Sequence, residues 1–162
     1  MKLVRLSAAI EPGVRELAAE YEAEGIERFE AILQDYAGAV RTPDAPEIHA
    51  GVPYTFFLAQ REDGLLVGTI RVRHELTERL WQDGGNLGYE VRPSLWNRGY
   101  ATRMLALALV EARRIGLDWV LLTVAPTNAA SIRVIEKNGG ARIGVGDRSG
   151  YLQYRIELCE AP

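Results

Sequence analysis

The feature that most constrains the fold is the unbroken apolar run Trp119–Val124, WVLLTV. A strand with one face in water alternates apolar and polar residues, whereas a strand covered on both faces is apolar throughout. The run therefore predicts a central strand. An amphipathic helical pattern over 99–115, which Gly116 is expected to end, precedes this strand, and a second pattern, ended by Gly139, follows it. Because the strand lies between two helices, the sequence predicts a mixed α/β architecture.

The remainder of the chain divides into short alternating and helical segments. Pro12 suits the first turn of a helix that Gly25 ends, and Asp63-Gly64 is typical of a β-hairpin turn. The segment 41–53 holds three prolines and one glycine and fits no periodicity, so we predict a loop there. The other predicted elements are a strand over 1–7, helices over 11–25 and 26–40, and strands over 54–60, 65–72, 87–91 and 151–158.

The composition is that of an ordinary globular protein and excludes several classes of function. The 162 residues carry 19 Lys and Arg against 22 Asp and Glu, and the net charge of −3 argues against a nucleic-acid partner. One cysteine, Cys159, and two histidines provide neither an internal disulfide nor a metal cage. The sequence shows no membrane-spanning stretch and no signal peptide. We therefore expect one cytoplasmic domain over residues 1–162, with no metal, membrane or nucleic acid.

Residues 91–102 (VRPSLWNRGYAT) form the strongest candidate site. A strand ends at Val91, a polar loop follows, and a helix begins near Gly99. The first N–H groups of a helix have no partner inside it, and the helix dipole favours an anion there. Gly99 and Ala101 leave the backbone open to a phosphate. Three arginines add positive charge nearby: Arg92, Arg98 and Arg103. The alternative interpretation is an ordinary helix N-terminus with solvated arginines.

Two segments resemble the cofactor-binding motifs of the GNAT superfamily, the acetyl-CoA-dependent N-acetyltransferases. Residues 96–101 are similar to the pyrophosphate motif [QR]-x-x-G-x-[GA], although Trp96 stands where Gln or Arg is usual. Residues 128–140 are similar to the second motif, N-x-x-[AS]-x-x-x-x-E-K-x-G-[FG]. The resemblance, which is to a bacterial subgroup, covers nearly the whole chain, and the predicted order of elements agrees with the GNAT order.

The resemblance implies the GNAT fold, an α/β (α+β) architecture with a mixed, mostly antiparallel sheet of six to seven strands and four flanking helices. The strands Leu87–Val91 and Trp119–Val124 would splay apart, aided by a bulge in the first of them, and acetyl-CoA would enter the opening. No metal is implied. The cofactor-binding residues implied are Val91, Arg92, Asn97, Arg98, Gly99, Tyr100, Ala101, Thr102, Asn128 and Ser131. Asn128 also has a simpler interpretation as a helix N-cap.

The implied reaction is direct transfer of the acetyl group to a primary amine of a small molecule or peptide, in a ternary complex. Because an ammonium group has a pKa near 10.4, attack needs a base. Three candidates are Glu90, His74 and, acting through water, Tyr89. Each also has a structural interpretation: a surface carboxylate, a hydrogen-bonded histidine and a packed aromatic ring, respectively. The family also implies a homodimer.

One expected residue is missing. Many GNAT enzymes have a tyrosine seven positions after the motif asparagine, where it serves as general acid, but this chain has Ile135 there. Solvent, Ser131 or no acid at all remain open. The missing tyrosine also motivates a rival interpretation, a non-catalytic acyl-CoA-binding or regulatory module with the same fold.

Overall fold

A computed structural model describes residues 1–26, 29–41, 47–49, 51–147 and 149–158. Its elements are β1 (Lys2–Val4), α1 (Glu11–Ala23), α2 (Glu30–Gln34), α3 (Tyr36–Arg41), β2 (Glu47–His49), β3 (Val52–Gln60), β4 (Leu66–Arg73), α4 (Glu78–Gln82), β5 (Leu87–Val91), α5 (Tyr100–Arg114), β6 (Trp119–Val124), α6 (Ala129–Lys137), β7 (Ala141–Val145) and β8 (Leu152–Glu157). Short 3₁₀ turns cover Ala8–Ile10 and Pro93–Leu95. Cys159 lies outside the described residues. None of the helices in the described ranges combines the length and apolarity that crossing a membrane requires.

The strands form two antiparallel sheets that share no ladder of hydrogen bonds. The first has the order β1-β3-β4-β5, with β2 also pairing with β3, and the second has the order β6-β8-β7. The predicted α/β class with mostly antiparallel strands is confirmed. The described residues form six α-helices rather than four, and eight strands rather than six or seven.

Apolar side chains form two adjoining cores. In one, α5 packs through buried residues such as Met104 and Ala108 against β4, β5 and β6. In the other, Leu17 and Tyr21 of α1 pack against Leu58 of β3. The strand β6, predicted to be central, lies instead at an edge of its three-stranded sheet, beside the opening between the two sheets. It is nevertheless covered, because three residues in a row, Val120 to Leu122, are buried, as its apolar sequence requires.

The predicted second helix over 26–40 is wrong in two respects: it begins at Glu30, and it is divided at Asp35. That residue has φ −133° and ψ 65°, outside the helical region, and its Oδ1 accepts a 2.9 Å hydrogen bond from the Gly38 N–H. A short acidic side chain that binds the backbone in this way starts a new helix in preference to continuing the old one. The helical pattern on both sides of Asp35 is real, but it belongs to α2 and α3.

Two short elements before β5 were not predicted. Within the segment expected to be a loop, Glu47–His49 pairs with Val52–Tyr54 across the turn at Gly51, whose φ is 82°. Before β5, the helix α4 begins at Thr77, whose side chain accepts a 3.2 Å hydrogen bond from Leu80 N–H. Thr77-Glu78 is a recognisable helix start in the sequence, whereas the pairing of β2 depends on the neighbouring strand.

Candidate active site

The two sheets contact each other at the start of β5 and then diverge. The Asn86 N–H donates to the Leu121 carbonyl over 2.7 Å, and Asn86 Oδ1 accepts from the Leu121 N–H over 2.8 Å. This close approach requires a glycine at position 85, because a Cβ there would lie 2.3 Å from the Leu121 carbonyl oxygen. Beyond this contact β5 pairs only with β4, and β6 pairs only with β8, over the described length of these strands. The predicted splay is therefore present.

The backbone of β5 directs alternate residues into this opening. The Asn86 carbonyl accepts from the Arg73 N–H of β4, and the Arg92 N–H donates to the Val67 carbonyl of the same strand. The register between β4 and β5 has no shift. Because peptide groups alternate in direction along an antiparallel strand, Leu87, Tyr89 and Val91 present their N–H and C=O groups toward β6. The pairing of β5 with β4 shows no bulge, so the expected bulge is not the cause of the splay. The two strands β5 and β6 diverge instead from the contact between Asn86 and Leu121.

Two cavities open on either side of the splay. The first, of about 590 Å³, extends from β5 over the start of α5 to α6, and its lining includes Val91, Trp96, Gly99, Thr102, Arg133 and Lys137. The second, of about 300 Å³, includes Arg71, Asp83, Thr123, Ile135 and Tyr151. Four residues line both cavities: Tyr89, Glu90, Asn128 and Ser131. These four residues mark the place where molecules that enter from the two sides would meet.

The N-terminus of α5 fits an anion. Asn97 and Gly99 have φ values of 60° and 79°, which turn the chain sharply into the helix, and no side chain caps it. A Cβ at Gly99 would meet nothing within 4 Å, so the space in front of the first turn is open. Since the helix has 15 residues and an uncapped N-terminus, its first N–H groups and its dipole are directed toward the first cavity.

The arginines predicted to supply charge at this site do not line it. Arg92 donates to Glu20 over 2.6 Å and to the Leu66 carbonyl over 3.0 Å, and its side chain is only 11% exposed. Arg98 and Arg103 are exposed but are not among the lining residues. The cations that line the first cavity are instead Arg133 and Lys137, on α6. Their four-residue spacing, which places them on one helix face, was the signal that could have identified them.

Trp96 is hydrogen-bonded to the Val91 carbonyl, a backbone group with which the cofactor was expected to pair. Its indole Nε1–H donates to the Val91 carbonyl over 2.6 Å, while 49% of the residue remains exposed. Because the Val91 carbonyl points toward the opening, the indole partly covers the entrance to the splay. The residue that departs from the family motif is therefore in contact with the predicted pantetheine-binding strand.

The three catalytic candidates differ in position. Glu90 and Tyr89 line both cavities, whereas His74 lines neither. The His74 ring makes a 2.9 Å hydrogen bond with Thr55 Oγ1, and burial lowers its pKa, an effect that Arg5 reinforces and Glu75 opposes. Glu90 Oε2 accepts a 3.4 Å hydrogen bond from Thr69 Oγ1. The structure thus brings together two of the three candidates.

The family model for the acetyltransferase (GNAT) domain matches residues 14–141. This chain belongs to the GNAT family. It is therefore an acetyltransferase domain of the class that uses acetyl-CoA as cosubstrate. No curated protein sequence matches it. The resemblance of residues 96–101 and 128–140 to GNAT motifs is thus confirmed at the level of the family.

Solved GNAT structures have the same fold over nearly the whole chain. RimJ of Mycobacterium smegmatis, in complex with CoA-disulfide, has 19% identity and a TM-score of 0.68, with 96% of this chain and 80% of that one covered. A mutant of the Vibrio cholerae spermidine N-acetyltransferase has 14% identity and a TM-score of 0.64, with coverages of 98% and 95%. Salmonella typhimurium yncA, solved with acetyl-CoA, has 17% identity and a TM-score of 0.63, with coverages of 100% and 96%. At these identities the similarity establishes the fold alone.

The residues of the GNAT cleft fit acetyl-CoA in three respects. The uncapped α5 start suits a pyrophosphate, the outward-facing peptide groups of β5 suit an amide-containing arm, and two cations stand on α6. Among residues in the described ranges, His, Cys, Asp and Glu side chains form no group of three that could hold a metal ion.

Proposed function

We propose that this GNAT domain, formed by the whole chain, transfers the acetyl group of acetyl-CoA to a primary amine of a small molecule or peptide by direct attack in a ternary complex. The observation that supports this proposal is the junction of two cavities at four shared residues. Two separate openings allow both substrates to be bound at once, which direct transfer requires.

The first cavity is the proposed cofactor site. The N–H groups of residues 98–102 bind the pyrophosphate, and Arg133 and Lys137 offset phosphate charge. Val91 pairs with the pantetheine arm through backbone groups that face the opening. Asn128 caps α6 by accepting from the Ser131 N–H over 3.0 Å, and its amide N–H₂ remains able to donate to the arm. Acetyl-CoA supplies the activated acyl group.

The backbone of β5 narrows the choice of oxyanion donor. The Tyr89 and Val91 N–H groups face the opening, whereas Glu90 directs its peptide groups toward β4, where its carbonyl accepts a 3.0 Å hydrogen bond from the Tyr21 phenol. The proposed donor to the thioester oxygen is therefore the N–H of Tyr89 or Val91. A fixed donor at this position stabilises the negative charge that develops on that oxygen.

Glu90 is the proposed general base. Glu90 is a lining residue of both cavities, and its carboxylate receives a hydrogen bond from Thr69, which holds the side chain near the junction that an incoming amine would approach. A carboxylate accepts the proton that an ammonium or the acetylated nitrogen must lose, directly or through water. His74 is outside both cavities and is hydrogen-bonded to Thr55, so it is the weaker candidate.

The experiment that tests this function is free-thiol release from acetyl-CoA with a panel of amines. Because the second cavity is lined by Arg71 as well as by Asp83 and Glu90, the panel includes amino acids and peptide N-termini beside polyamines and lysine peptides. We expect turnover with one of these classes. Tight CoA binding with no thiol release in the presence of any of these acceptors would contradict the enzymatic function. That outcome would favour the second candidate, a non-catalytic acyl-CoA-binding module, which is suggested by the apolar Ile135 at the family's tyrosine position.

A further inference from the structure

The proposed transfer leaves a thiolate for which the family position at Ile135 provides no proton. We propose that Tyr89, from β5, donates its hydroxyl proton to the sulfur of the departing CoA. This inference rests on the proposed function. It assigns Tyr89 the role of general acid, whereas the sequence predicted a general base that acts through water.

The Tyr89 hydroxyl is buried and lacks a partner. Among the residues that the structure describes, no group forms a hydrogen bond of acceptable length and angle with it, the nearby Ser131 included. A buried hydroxyl without a partner is costly, so such groups commonly mark a position that a ligand completes. Tyr100 lines the first cavity and Tyr151 the second, but Tyr89 is the one tyrosine of the described residues whose buried hydroxyl lacks a partner. Tyr21 donates to the Glu90 carbonyl, and Tyr154 donates to Glu136.

The location of Tyr89 matches the place of the missing acid. Tyr89, Ser131 and Ile135 all line the second cavity, so Tyr89 of the strand borders the same space as the helix position where other family members have tyrosine. Tyr89 packs with the core on the α5 and α6 side. Because consecutive residues of a strand point to opposite faces, Glu90 lies on the other side of β5. The proposed acid and the proposed base therefore flank the junction of the cavities.

Bonds and protons balance in the proposed acetyl transfer. The amine nitrogen forms the new C–N bond as the thioester C–S bond breaks, and the electron pair of that bond leaves on sulfur. Tyr89 gives its proton to this sulfur, which yields the CoA thiol. The resulting phenolate then regains a proton from the acetylated nitrogen, through Glu90 or water. No other reactant is consumed.

The protonation state of Tyr89 suits a donor. Burial raises the pKa of its phenol above the usual 10. The phenol therefore keeps its proton at neutral pH. Its neutral form is available to stabilise a thiolate, and the same burial disfavours a standing phenolate that could act as base.

The test compares binding of CoA with that of desulfo-CoA, which lacks the sulfur, by calorimetry at pH 7 to 9.5. In the wild-type protein we expect CoA to bind about 10-fold more tightly, with the ratio rising toward the upper end of this pH range as the thiol begins to ionise. Tyr89→Phe should abolish this preference. Tyr154→Phe, which also removes one buried phenol but lies outside both cavities, should retain it.

A Tyr89→Phe protein that keeps the wild-type ratio of CoA to desulfo-CoA affinity would overturn the inference. If that variant does not fold, 3-fluorotyrosine at position 89 replaces it. This more acidic phenol should increase the ratio, and an unchanged ratio would again overturn the proposal. With a turned-over amine, Tyr89→Phe should lower kcat about 100-fold with little change in KM. Absence of turnover in the wild-type protein would refute the proposed function, whereas the binding ratio reports on the sulfur contact alone.

Discussion

Arg92 Nε lies 2.6 Å from Glu20 Oε2, and this contact joins α1 to the turn that follows β5. The same carboxylate accepts a 2.6 Å hydrogen bond from the Ser94 N–H, which belongs to the turn. Burial by itself raises the pKa of Glu20, but the hydrogen bonds from Ser94 and Arg92 outweigh it and lower the pKa. The helix α1 thus anchors the segment that leads from β5 toward the start of α5.

The Glu20–Arg92 pair should contribute to stability and to the order of the loop. Arg92→Ala leaves the mostly buried Glu20 carboxylate without its charged partner, and we expect a loss of about 1–3 kcal/mol in the free energy of unfolding. A double-mutant cycle with Glu20→Ala, measured by urea denaturation, gives the coupling energy. Additive effects of the two substitutions would show that the pair makes no net contribution.

Two substitutions of Gly99 should distinguish the effect of backbone strain on CoA affinity from the effect of blocking the proposed phosphate site. Gly99→Glu places bulk and negative charge in front of α5, so CoA binding should be lost, while the space around the Cβ position preserves the fold. Gly99→Ala is the matched control, because it has the same unfavourable φ of 79° without the charge. Calorimetric CoA affinity similar to wild type in Gly99→Glu would mean that the pyrophosphate binds elsewhere.

Trp96 should report cofactor binding. If the pantetheine arm pairs with the Val91 carbonyl, the Trp96 indole must leave that oxygen, and its environment changes. We expect CoA to alter the intrinsic fluorescence of the wild-type protein and of Trp81→Phe, whereas the signal should be lost in Trp96→Phe. A full signal in Trp96→Phe would place the change at another tryptophan.

The general base should be visible in the pH dependence of kcat/KM. A base must be deprotonated to act, so activity falls as the pH drops through its pKa. Glu90→Gln should lower kcat/KM about 100-fold and remove this acidic limb. His74→Ala should keep the limb, because His74 contacts neither cavity. If the acidic limb were lost in His74→Ala and retained in Glu90→Gln, the general base would be His74 and not Glu90.

His74 should instead affect the pH dependence of stability. Its pKa is lowered from the usual 6.5 in the folded chain, mainly by burial, so the unfolded chain binds a proton more readily. The stability associated with His74 is therefore fully present above pH 6.5 and is lost as the pH falls from 6.5 through the lower folded pKa. Urea midpoints measured between pH 5 and 7.5 should fall less steeply in His74→Gln than in the wild-type protein. Equal slopes would contradict this prediction.

Local sequence patterns predicted the features that depend on nearby residues. These features each extend over thirteen residues or fewer: the apolar run of β6, the start of α5 at Gly99, and the two GNAT motifs. Periodicity and backbone preferences act at this range, so these features could be derived from the sequence. The same approach misread 26–40 as one helix, because the bond from Gly38 to Asp35 competes with a helical pattern that is otherwise continuous.

By itself, the sequence determined the fold class and the family, and it predicted which loop would bind the pyrophosphate. Tertiary structure alone decided which charged and polar groups face the cleft. Arg92 looked like a phosphate ligand from its place in the motif, but it is neutralised by Glu20, 72 positions away, because α1 packs beside β5. Tyr89 looked like a packing residue, but it lines both cavities between the diverging strands β5 and β6, and its buried hydroxyl has no partner among the described residues. The direction of a side chain depends on elements distant in sequence, and local patterns carry no information about them.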